Sequence, residues 1–69
     1  MKYPTWHIRY CDARNKLGEA IANMEQAFYE DGNNKVFGRF CERMRKLQGS
    51  VDWQMAKNFK RGRKEGWHK

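Results

Sequence analysis

Apolar residues recur through the first half of the chain at helical spacing. Trp6, Tyr10, Ala13, Leu17, Ile21, Met24 and Phe28 follow at intervals of four, three, four, four, three and four, a single stripe on one helix face. Pro4-Thr5 suits a helix entrance with Thr5 as N-cap, and Gly32 supplies the stop after Asp31. The spacing predicts a helix over 5–30. Trp6, Ile8 and Tyr10 also alternate with His7, Arg9 and Cys11, as in a half-buried strand. The unbroken stripe through Leu17 favours the helix.

The second periodic segment opens at Asn34, a good N-cap, and places Val36, Phe37, Phe40, Met44 and Leu47 on one face, with Cys41 at its edge. Gln48-Gly49-Ser50 reads as a turn, with Ser50 capping a third helix and Asp52 in its first turn. Val51, Met55 and Phe59 form the apolar line of that helix. Trp53, Lys57, Lys60, Arg61 and Lys64 share its opposite face. After Gly62 the pattern dissolves, which predicts a mobile basic tail over 62–69. The fold class expected is therefore all-α: one small three-helix domain spanning 1–69, with helices at 5–30, 35–48 and 51–61.

Size limits what such a domain can be. A 69-residue chain buries only about 60% of the surface its unfolded form exposes, so a metal, a disulfide, a partner or a second copy would help to stabilise it. Ten aromatic side chains argue for a folded core rather than a disordered polyelectrolyte. No apolar run approaches the ~20 residues of a membrane span. Two cysteines do not make a secreted disulfide framework, so the expectation is a cytoplasmic protein without membrane contact.

Charge divides the chain. Residues 1–34 carry four Lys or Arg against five Asp or Glu, a net −1, whereas residues 35–69 carry eleven against three, a net +8. A positive field gathered on one half attracts polyanions or acidic protein surfaces. Trp53 heads a line of cations, and that mixture suits nucleic acid: Lys and Arg neutralise phosphates while an aromatic face stacks on a base. The expected contacts are Arg39, Arg43, Lys46, Lys57, Lys60, Arg61, Arg63 and Lys64 on phosphates, with Trp53 stacking.

Other motifs are thinner. Segments two and three have the outline of a helix-turn-helix, with Gln54, Lys57 and Asn58 turned towards base edges, although Arg45 stands near the turn where a small residue is usual. Arg61-Gly62-Arg63 has the two arginines and glycine of a minor-groove hook, but Lys64 follows where proline is normal. His7, Cys11, Cys41 and His68 could ligate zinc, yet no Cys-x-x-Cys pair is present, and the expectation is no metal and no cofactor. No nucleophile–base pairing, glycine-rich phosphate loop or paired catalytic carboxylates stand out, which argues against an enzyme.

The expectation from sequence is a small basic nucleic-acid-binding module. The alternative is a compact antagonist or adaptor of phage or plasmid type, such as an anti-CRISPR protein or host-enzyme inhibitor, docking its cationic face on an acidic protein. In that reading Trp53, Trp67 and Tyr29 are anchors. The stripe from Trp6 to Phe28 is also a candidate homodimer face.

Overall fold

Helix α1 spans Thr5–Glu30 and helix α2 spans Lys35–Glu65, folded back on each other as an antiparallel hairpin in a computed structural model that describes residues 1–68. The rod measures 50 × 16 × 12 Å. The chain is all-helical, as expected, but with two helices rather than three. No helix of the described residues is long and apolar enough to cross a membrane.

The connection uses the residues that sequence pointed to. Gly32 and Asn33 adopt positive φ of 62° and 60°, and the Asn33 amide donates to the Phe28 carbonyl at 2.9 Å, a Schellman-type ending of α1. The Asn34 side chain then accepts from the amides of Val36 and Phe37, capping α2. At the other end of α1, Thr5 is not the cap. Pro4 is, and its carbonyl receives the first intrahelical bonds from His7 and Ile8.

The predicted break at Gln48-Gly49-Ser50 does not occur. Phe37, Cys41, Met44, Gln48, Val51, Met55, Asn58 and Gly62 alternate at intervals of four and three and are all buried or half-buried, the heptad signature of a helix packed along a partner helix. Helix α1 offers one stripe, and a continuous α2 covers all of it. A single Gly49 costs only about 1 kcal/mol against Ala, less than abandoning half of that contact. Ser50 does not cap a new helix; its hydroxyl donates to the Lys46 carbonyl one turn back. With no turn there is no helix-turn-helix, and Asn58, expected to point outwards, is 5% exposed and accepts from the Gln54 amide.

The segment after residue 61 is not a free tail. Helix α2 continues to Glu65, Gly66 takes φ 77°, and the Trp67 amide donates to the Gly62 carbonyl at 2.8 Å. Gly62 lacks the side chain that would block the Trp67 ring: a Cβ there would lie 2.6 Å from it. Backbone bonds from Tyr3 to His68 and from His68 to Met1 tie both ends of the chain together. Of the predicted tail, Lys69 lies outside the described residues.

The inward edge of α1 also sits one residue round from the centre of the predicted stripe. His7 is 1% exposed, enclosed by Tyr3, Trp6, Phe59 and Trp67 with ring centroids 5.1–5.8 Å away, while Trp6 and Ala13 are exposed. The aromatic end-cluster draws the imidazole inwards because the folded-back Trp67 roofs it. Among the described residues only Ile21, Cys41 and Met55 are buried hydrophobics.

Candidate polyanion-binding ridge

Remote from its heptad line, α2 carries a second line, whose first members Lys35 and Arg39 also border a groove with Glu25, Phe28 and Tyr29 of α1. Lys35, Arg39, Lys46, Trp53, Lys57, Lys60 and Lys64 recur at intervals of four, seven, seven, four, three and four, and all are exposed. Arg43, in the seven-residue register of Lys57 and Lys64, belongs with them. At 1.5 Å per residue the line from Lys35 to Lys64 runs about 44 Å, the length of about 13 base pairs.

The candidate residues divide accordingly. Arg39, Arg43, Lys46, Trp53, Lys57, Lys60 and Lys64 come together on this ridge. Arg61 lies at its edge and is engaged within the fold: its Nε donates to Glu65 at 2.5 Å, and its guanidinium lies 5.3 Å from Trp6 and 5.7 Å from Trp67. Arg63 projects from the flank that also bears Arg45 and Asp52, off the ridge. Lys35 was missed by the sequence reading, although stepping back four residues from Arg39 reaches it.

Own carboxylates do not neutralise the ridge. Among the described residues the ion pairs are Arg14–Asp52, Lys16–Asp12, Arg45–Glu25 and Arg61–Glu65. Three of these cations lie off the ridge and the fourth is Arg61. Arg39, Arg43, Lys46, Lys57, Lys60 and Lys64 enter none. Arg14–Asp52 and Arg45–Glu25 join the two helices, and as exposed pairs they contribute up to about 1 kcal/mol each.

Trp53 is 63% exposed, so its ring is a surface group. The Lys57 ammonium sits 3.7 Å from the ring centroid, a cation–π contact that occupies one face. Tyr29 is exposed near the hairpin turn, but Trp67 is half-buried against Gly62 and His7 and is not presented as an anchor.

The four residues weighed as zinc ligands do not converge. His7 Nε2 and Cys11 Sγ lie 3.7 Å apart, with Met55 Sδ 3.9 Å from the thiol. His68 Nδ1 instead meets the Met1 amino group, and neither Cys11 nor buried Cys41 is in a disulfide. Among the described residues no three of His, Cys, Asp and Glu cluster as metal ligands. No family model, characterised protein or solved structure matches this chain.

Proposed function

We propose that this protein is a small non-enzymatic module of the cytoplasm that binds nucleic acid through phosphates along the outer ridge of α2. The observation that carries the reading is a row of six Lys and Arg side chains, Arg39, Arg43, Lys46, Lys57, Lys60 and Lys64, aligned over most of one helix and free of internal ion pairs among the described residues. Cations about 5–6 Å apart, in two groups either side of Trp53, present several positive charges to a backbone that carries one phosphate per ~3.4 Å of each strand. Trp53 breaks the row near its middle and offers its open face to a base. Contacts of this kind are indifferent to sequence, since phosphates and stacking faces are common to every base.

Six phosphate contacts imply that log K falls against log salt with a slope of about −5 for a duplex, a loss of roughly 10³ in affinity between 50 and 200 mM salt. Fluorescence anisotropy of labelled duplex and single strands across that range measures the slope. Absence of binding at ~50 mM salt, where such contacts are strongest, refutes the reading.

A second reading keeps the same ridge and changes the partner to an acidic protein, with the chain acting as an inhibitor of phage type. Exposed Trp53, flanked by cations, has the make-up of an interface anchor. A pull-down after nuclease treatment separates the two: loss of every partner favours nucleic acid, and one stoichiometric protein retained favours the inhibitor.

A further inference from the structure

One broad side of the hairpin is apolar and uncovered. The Arg61 guanidinium over the Trp6 ring fixes which positions of the two helices share that side. Stepping by seven from Trp6 along α1 gives Ala13, Ala20 and Ala27. Stepping by seven back from Arg61 along α2 gives Gln54, Leu47 and Phe40. Leu17 and Met24 of α1, with Met44 and Val51 of α2, lie between these rows and are half-buried. Leu47 is 53% exposed and Phe40 41%, with Val36 at the turn end 51%. From Ala13 to Ala27 and from Phe40 to Gln54 none of these positions is charged. The opposite side differs, being bridged by Arg45–Glu25.

We infer that a second copy of this chain covers this face, giving an antiparallel four-helix bundle. The face is self-complementary in size. Small residues repeat every seven positions on α1 and large ones every seven on α2, so α1 laid over the partner's α2 seats Phe40 and Leu47 above Ala27 and Ala20 of the other copy.

The twofold axis then runs along the rod, every neighbouring pair of helices is antiparallel, and the contact is isologous. Laying α1 over α1 instead would oppose alanine to alanine. A need for cover exists as well: a two-helix hairpin with three buried hydrophobics among the described residues has a small core, and a second copy would add to it.

The ridge borders this face, since Arg43, Lys57 and Lys64 follow Val36 by multiples of seven, but the dimer is read as a mass without nucleic acid, so the two readings fail or hold separately. Light scattering after size exclusion tests the dimer, at chain concentrations up to ~100 µM because assembly is set by mass action. The expected mass is that of two 8.4 kDa chains, and Leu47→Glu moves it towards one. A wild-type monomer throughout overturns the inference, leaving the face for another protein.

Because Leu47→Glu can also unfold the chain, cross-linking gives the second readout. Ala20→Cys chains and Leu47→Cys chains are prepared separately, each lacking Cys11 and Cys41, then mixed and oxidised. A disulfide dimer that forms only in the mixture supports α1 over the partner's α2. One that forms in Ala20→Cys alone, or in neither sample, overturns it.

Discussion

Replacing Gly62 with Ala should destabilise the protein, although the same change normally strengthens a helix. A methyl at this position lies 2.6 Å from Cε3 and 3.1 Å from Cδ2 of Trp67. The ring cannot swing aside freely, because its far side packs on Trp6 at 5.5 Å and on His7 at 5.1 Å between centroids. Two effects oppose each other. Gly to Ala inside a helix gains up to about 1 kcal/mol. Displacing the ring forfeits part of the roughly 3–5 kcal/mol that full truncation of a buried Trp costs, about 2 kcal/mol for a half-buried ring. The loss wins by about 1 kcal/mol, which lowers Tm by about 4–8 °C in a domain of this size.

With Trp67→Ala already in place the obstruction is gone, and Gly62→Ala should then raise Tm by a similar amount. Thermal unfolding of the four proteins by far-UV circular dichroism, at one fixed concentration, reads this reversal of sign. An equal stabilisation in both backgrounds would refute the argument, since it would mean that Trp67 never rests on Gly62.

Gly49→Ala is the test of helix continuity. Nothing lies within 4 Å of a Cβ built there, so an uninterrupted α2 gains up to about 1 kcal/mol and several degrees of Tm, whereas a turn with glycine-specific backbone would lose stability. Trp53→Ala should leave the unfolding free energy within about 0.5 kcal/mol, as expected for an exposed site, while weakening nucleic-acid affinity by the roughly 1–3 kcal/mol of one stacked base. A large drop in stability with binding intact would place the ring in the core and remove it from the ridge. Lys46→Glu, Lys57→Glu and Lys60→Glu together should lower the magnitude of the salt slope by about three without loss of helix content.

Much of this architecture was legible from local signals. The span of α1, the Gly32 stop and the Asn34 cap were all readable, because each depends on residues within one or two turns: an apolar period, a left-handed backbone position, a side-chain acceptor beside two free amides. The gathering of cations on the outer side of α2 was readable in the same way, since spacing along a helix sets angular position. Lys35, four residues before Arg39, belongs to the same series.

Three features belong to the tertiary structure. Gln48-Gly49-Ser50 carries every local mark of a turn, yet it is helical because α1 presents a stripe long enough to reward an unbroken partner. Trp67 folds back because Gly62, a residue that reads locally as a helix terminator, leaves the hollow its ring fills, and that ring in turn encloses His7 in place of Trp6. Arg61 passes from the ridge to the end-cluster because Trp6, Glu65 and Trp67 meet there. Local sequence can state the cost of each choice, such as about 1 kcal/mol for a helical glycine. What outweighs that cost is surface contributed by residues distant along the chain, and only the assembled hairpin brings it into contact.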